Sequence, residues 1–317
     1  MMHASAHAIL RGMITRHTRG SVTWIDLEAP SADELGEVMH EFGIDPRVEE
    51  EIASPTPYPL TFSTPEYRYL ILHFPAVEKE EGTKNQEVDF VVGKKFIITV
   101  RYEVIDSIHS LHKVFEAEEL IGIGTAAVRT DQVLERVMSG LYNSIHDEIE
   151  RTGRSLDVIE RDIFSGKERQ TVRTISRVGR VLLRFETALA RHAEPLDEFL
   201  SGLSETEFFG KAFLDRASRI VAAHDHAAAL VASYRSIARE LRITNDSLLS
   251  SSQNEVMKTL TVMAFVAVPL TLVASIFGMN VEAMPIVHEP NAFWIILGLM
   301  LLVAATFFSF FKVKRWI

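Results

Sequence analysis

From Thr259 to Val281 the chain carries no charged side chain for about 23 residues, enough for a helix to cross a hydrocarbon core of roughly 30 Å. A second uncharged run, Pro290–Phe311, begins after a short polar loop. In a bilayer every backbone polar group must be satisfied internally, so two such runs joined so closely form a helical transmembrane hairpin. The spans are expected at about 258–278 and 291–311, within a segment 256–317 that ends in a basic tail.

The rest of the chain is charged and soluble in character. It holds 33 Lys and Arg against 43 Asp and Glu, a net charge of −10. Nucleic acid demands a basic footprint, so it is not an expected partner; a cation suits this surface better. With no cysteine there can be neither disulfides nor thiolate metal sites. The first twenty or so residues lack the apolar core of a signal peptide, which leaves the soluble part in the cytosol. The loop Met279–Asn291 has no Lys or Arg and holds two outer-loop acidic residues, Glu282 and Glu289. Lys258 precedes the first span, and Lys312, Lys314 and Arg315 follow the second. Positive-inside bias therefore predicts a multi-pass protein of the cell inner (plasma) membrane with both termini cytoplasmic. Trp294 and Trp316 fall near the ends of the second span, as interfacial aromatics do.

An α+β fold is expected, with an N-terminal α/β domain over 1–125. Val22–Leu27 reads as a strand, and Ser31 with Glu34 as a capping box for a helix that Gly43 ends. Leu35, Val38, Met39 and Phe42 supply its apolar face. Asp45-Pro46 starts a second short helix. Tyr67–Phe74, Glu87–Val92 and Phe96–Tyr102 read as further strands. A helical pair is expected over 126–203: apolar residues recur at helical period through Asp131–Phe164 and again from Val172 to Leu189, with Pro195 and Gly202 marking a turn. A stalk helix follows over 204–255 and continues into the first span. From Lys211 to Phe277 there is no glycine and a single proline, Pro269, so one helix of roughly 100 Å is expected. The alternative is a break within Thr244–Gln253, where Ser and Asn are dense.

Along the first span Asn254, Met257, Thr261, Ala264, Val268, Thr271 and Ser275 recur every three or four residues and share one face. Val262, Phe265, Val266, Leu272 and Val273 lie opposite. Ala264, Ala267, Ala274 and Ser275 are small enough for close helix approach. A single hairpin cannot enclose a water path, so a polar stripe this weak must be shared among copies, unless its hydroxyls merely bond back to their own helix. Asn280 admits two readings, a polar helix stop after Gly278 or an amide ligand at the outer mouth. No carboxylate lies in the span, and Mg²⁺ keeps its waters, so an amide ring would hold the hydrated ion by hydrogen bonds.

These residues carry a resemblance. NEVMK at Asn254–Lys258, PLT at Pro269–Thr271, GMN at Gly278–Asn280, MP at Met284-Pro285 and the basic tail are similar in order and spacing to the CorA family of divalent-cation channels. The resemblance implies a homopentamer whose first spans line the pore, with Gly278, Met279 and Asn280 as the selectivity filter. It places Asn254, Met257, Leu260, Ala264, Val268, Thr271 and Ser275 along the pore, with Met257 and Leu260 as a hydrophobic gate. It implies Mg²⁺ as transported and regulatory ion, with Co²⁺ and Ni²⁺ as further cargo and no permanently bound cofactor. The regulatory acidic pairs do not map: Ile243 stands where the family often has an acidic residue, with Glu240 and Asp246 only nearby. Phe277 replaces a common tyrosine, and Ile286–Glu289 departs from the acidic residue that usually follows MP.

Two competing readings remain. One is a Zn²⁺ or other transition-metal transporter of the same superfamily, with His224 and His226 flanking Asp225 and with His109 and His112 one turn apart. Solvated faces are the plainer reading of those histidines, and the intact Met279 favours Mg²⁺. The other is a non-conducting membrane-tethered sensor or scaffold. No P-loop, GxSxG or HExxH motif supports an enzyme.

Overall fold

The computed structural model describes residues 12–75, 85–120, 128–279, 286, 290–314 and 316. Asn280, Glu282, Met284, Pro285 and Glu289 lie outside the described residues. Two compact units emerge, one taking in the chain up to Ser165 together with Thr171–Leu241, the other Gly166–Gln170 together with Arg242–Ile317.

The first unit is built on a six-stranded sheet ordered β1-β2-β6-β5-β4-β3. Its strands are β1 (Met13–Arg19), β2 (Val22–Glu28), β3 (Leu60–Ser63), β4 (Tyr67–Pro75), β5 (Asn85–Gly93) and β6 (Phe96–Arg101). Only β2 and β6 pair in parallel; every other neighbouring pair is antiparallel. Strand alternation divides the side chains between two layers. Ile25, Leu27, Tyr69, Ile71, Val91 and Ile98 meet α1 (Ala32–Glu41) and α2 (Pro46–Ile52) in one core. The other face is covered by α4 (Thr130–Phe164), which touches β2, β4, β5 and β6, with α3 (Asp106–Leu120) packed on α4. The expected capping box forms, Ser31 Oγ accepting from the Glu34 amide while Glu34 accepts from the Ser31 amide. Gly43 ends that helix at φ +62°, a conformation glycine adopts without steric cost.

The strands and helices expected from pattern are all present, but β1, β3 and α3 add to them. β1 is an edge strand rich in charged and polar residues, so its alternation is not hydrophobic. What fixes it is an ionic clamp. Glu118 of α3 accepts from Arg19 of β1 at 2.6 Å and from Arg136 of α4 at 2.7 Å. Both guanidiniums lie 4.6 Å from the centre of the Phe115 ring, one cation–π contact each.

The expected turn at Pro195 does not form. α5 (Glu168–Ser204) runs through both Pro195 and Gly202. A proline inside a helix costs about 3 kcal/mol. Beyond it Leu196, Phe199, Leu200 and Leu203 are all buried, and each contributes about 1.5–3 kcal/mol, which outweighs that cost. The long helix is unbroken: after a 3-10 turn at Gly210–Phe213, α6 spans Leu214–Phe277 in 64 residues with no interruption in Thr244–Gln253. Gly153 of α4 lets the two helices meet closely, since a Cβ there would fall 2.3 Å from the Tyr234 ring of α6.

The clamp has a pH signature. Its two arginines hold the Glu118 carboxyl down at about 2, from an ordinary 4.5, with Arg136 the largest contributor. A depressed carboxyl stabilises the fold above its unfolded value and loses that contribution as pH falls through its folded value. Glu118→Gln is therefore expected to lower the thermal midpoint of the first unit at pH 7, and the gap from the unsubstituted protein should narrow between pH 4.5 and 2. Unfolding scans across that range check it; a gap constant with pH would refute the clamp's ionic character.

Candidate pore-lining face and metal ligands

The second unit contains the membrane-spanning part of α6 and the second apolar helix, α7 (Ala292–Val313). Both are long and apolar enough to span a bilayer. α6 has one partly buried stripe, Val262, Val266, Pro269, Leu270, Val273 and Phe277. α7 has another, Ile296, Met300, Val303, Ala304, Phe307 and Phe311. Each recurs at helical spacing, and the rings of Phe265 and Phe311 meet at 6.1 Å, so these are the sides on which the hairpin packs. Of the apolar face expected on α6, Val262, Val266 and Val273 take part. Phe265 and Leu272 lie at its flank and stay 55% and 60% exposed, the Phe265 ring meeting only the edge of the contact at Phe311.

At 100° per residue the direction of Asn254, Met257, Leu260, Ala264, Val268, Thr271 and Ser275 is roughly half a turn from the stripe that packs on α7. All seven are exposed in the isolated chain, Met257 by 60% and Leu260 by 55%. Thr261, which spacing also places on this side, is half-buried at its edge. Ala264, Ala267, Ala274 and Ser275 are exposed as well, so whatever helix their small size admits is not α7. The face has a polar entry at Asn254, an apolar pair at Met257 and Leu260, then small and hydroxyl side chains. The Thr261 hydroxyl donates to the Met257 carbonyl at 2.7 Å and the Thr271 hydroxyl to Ala267 at 2.9 Å. Back-bonding, the plain alternative raised by the sequence, is thus present. It commits the hydroxyl proton and leaves the oxygen as an acceptor.

α6 ends at Phe277, and the Gly278 amide still donates to Ala274 at 2.9 Å while that of Met279 donates to Ile276 at 3.3 Å. A Cβ on Gly278 would stand 3.0 Å from the Ala274 carbonyl oxygen. The chain therefore leaves the helix in a tight turn at the first two residues of the GMN triplet, and Met279 is 59% exposed there.

The soluble unit offers no preformed metal centre: among the described residues no group of three or more His, Asp or Glu could hold an ion. The buried carboxylates are already engaged. Burial alone would raise the Asp26 carboxyl, yet hydrogen bonds from His112 (2.9 Å), Thr99 (2.5 Å) and Arg101 (3.0 Å) hold it below its usual range. Asp131 is taken by Arg129 and Arg216, and Glu135 by Arg216 and Arg219. Asp89 is the exception: burial, reinforced by Glu87, pushes its carboxyl well above the usual range, and its Oδ1 accepts from the Tyr69 hydroxyl at 3.0 Å. The expectation of solvated histidines fails for two of the four. His224 is buried with Nε2 2.9 Å from the Leu189 carbonyl, and His112 bridges His17 and Asp26. Both are polar residues within helix stripes, where periodicity alone reads them as outward. His109 and His226 are exposed, the latter stacked on His146 at 4.7 Å.

Comparison with known proteins agrees with this architecture. The sequence matches the family described as CorA-like Mg2+ transporter protein over residues 19–315. The cobalt/magnesium transport protein CorA of Thermotoga maritima is 26% identical over 310 residues, covering 93% of this chain and 83% of that protein. The protein of the same description from Methanocaldococcus jannaschii is 23% identical over 319 residues, covering 93% and 91%. The complete structure of the CorA magnesium transporter from Methanocaldococcus jannaschii superposes with a TM-score of 0.79 at 18% identity, covering 94% of this chain and 92% of that one. With soluble α/β unit, long helix and two-span hairpin in the same order, and a family match across nearly its whole length, the chain belongs to the CorA-like Mg²⁺ transporter family.

Proposed function

We propose that five copies of this chain form a channel that admits Mg²⁺ into the cell down its electrochemical gradient, with Co²⁺ and Ni²⁺ as lesser cargo. The observation that carries this reading is the open face of α6 from Asn254 to Ser275, turned away from α7 and left exposed by the described residues of its own chain. Arranged around a common axis, such faces would enclose a path that no single hairpin can. The names of the relatives, which transport cobalt and magnesium, support the choice of ion.

In this reading Gly278, Met279 and Asn280 form the outer filter, and Glu282 and Glu289 raise the local cation concentration beside it. Both termini are cytoplasmic in the inner (plasma) membrane, so the membrane potential draws the ion inward at about 2.3 kcal/mol per charge per 100 mV. With no carboxylate in the span, the ion passes hydrated, against amide, hydroxyl and carbonyl oxygens. Met257 and Leu260 narrow the cytosolic end, and a ring of such side chains blocks conduction by dewetting. Mg²⁺ held between the soluble units of neighbouring copies closes that constriction.

Three outcomes are expected from the protein in liposomes. Mg²⁺ flux should be competed by Co²⁺ and Ni²⁺, and Asn280→Ala should reduce it at least tenfold; Zn²⁺ flux untouched by Mg²⁺ would overturn the choice of ion. Flux no greater than in protein-free liposomes, and unchanged in Asn280→Ala, would instead favour the tethered scaffold. Met257→Gly should conduct at internal Mg²⁺ concentrations that silence the unsubstituted channel, read as residual current at tens of millimolar. Current indifferent to internal Mg²⁺ from micromolar upward would refute gating by the transported ion.

A further inference from the structure

Against a net charge of −10, α5 carries Arg173, Arg177, Arg180, Arg184 and Arg191. Their spacings of three, four and seven residues put them on one face of the helix, and all are exposed. No described carboxylate lies within ion-pair distance of Arg173, Arg177, Arg180 or Arg191. The far end of this stripe opens onto a cavity of about 530 Å³ where α5 passes β4, the start of β5 and the prolines that precede β3.

Arg184 and Arg191 line the cavity from α5, His73 from β4 and Asn85 from the start of β5, while Pro57 and Leu183 add an apolar wall. Among the described residues no acidic one lines it. The His73 ring is bonded on one side only: Nε2 lies 2.7 Å from the Thr56 carbonyl oxygen and 3.0 Å from Glu87 Oε2, so that nitrogen carries the hydrogen. Nδ1 is buried without a partner among the described residues. Burial disfavours the charged ring, but the bonds to Glu87 and Thr56 outweigh it and raise the tendency to protonate. An imidazolium there has a second N–H with no acceptor among the described residues, an arrangement that costs stability unless an anion supplies one.

We propose that this cavity binds a small phosphate ester, its phosphate accepting from Arg191, Arg184 and the His73 side of the wall, and its organic body lying against Pro57 and Leu183. Two guanidinium forks and an imidazole match a tetrahedral dianion better than a planar monoanion. The volume exceeds what inorganic phosphate fills and is in the range of small-molecule sites. The arginine stripe draws anions towards it from an otherwise acidic surface.

Equilibrium dialysis of the full chain in detergent tests this, with AMP, inorganic phosphate and adenosine as probes in Mg²⁺-free buffer at physiological salt. AMP should bind saturably, phosphate should compete, and adenosine should bind at least tenfold more weakly. Arg191→Ala should weaken AMP at least tenfold, and Arg191→Lys, which keeps the charge but loses the fork, by an intermediate factor. Arg173→Ala, on the same stripe but outside the cavity, should change it less than twofold. Arg191 is exposed, so its variants should keep the thermal midpoint of the parent, which separates loss of binding from loss of fold. Equal affinity for adenosine and AMP, or AMP binding indifferent to Arg191→Ala, overturns the proposal. So does equal weakening by Arg173→Ala and Arg191→Ala, which would mark a diffuse field rather than a site.

Discussion

A bilayer supplies no water to satisfy a polypeptide backbone, and the architecture follows from that shortage. A chain that must leave a soluble unit and enter hydrocarbon is safest when its amides are already bonded. α6 meets the condition by running for 64 residues without a break, so no orphan N–H or C=O falls at the transition. The single proline in the run, Pro269, lies deep in the apolar part. The Ser and Asn residues of Thr244–Gln253 are weak helix formers, but a helix already propagating on both sides overrides their local preference.

The soluble unit solves a different problem. A sheet covered on both faces buries some charge, and here that charge is neutralised internally. Arg101 is wholly buried and satisfied by Asp26 and Glu28. Asp26 in turn is shared with His112 and Thr99. Losing one member of such a network leaves a charge buried without a partner, at a cost of about 3–5 kcal/mol. These groups hold the layers together, and they are unavailable to a metal.

Most of the fold was legible in the chain because its signals are local. The capping box at Ser31 and Glu34, the glycine at 43 and the helical stripe of α4 each depend on a few neighbouring residues. What escaped depends on distant partners. β1 is a strand because β2 lies beside it and Glu118, ninety-nine residues away, grips Arg19. α5 passes Pro195 because tertiary burial beyond it outweighs the broken bond. For the candidate site, the periodicity of α6 identified a shared face, while which side packs on α7 became visible only from burial. His224 and His112 were misread as outward for the same reason: a polar letter in a helix does not reveal whether a carbonyl or a carboxylate waits opposite.

In the proposed pore the back-bonded threonines would have a consequence for ion charge. With its proton spent on Met257 or Ala267, each hydroxyl oxygen can only accept. A hydrated cation turns the hydrogens of its water shell outward and meets such a surface as a ready partner. A hydrated anion turns water oxygens outward and, at these two threonines, finds no donor to greet them. A wall of neutral side chains can thus discriminate by sign, with no carboxylate present to bind the ion so tightly that it fails to leave.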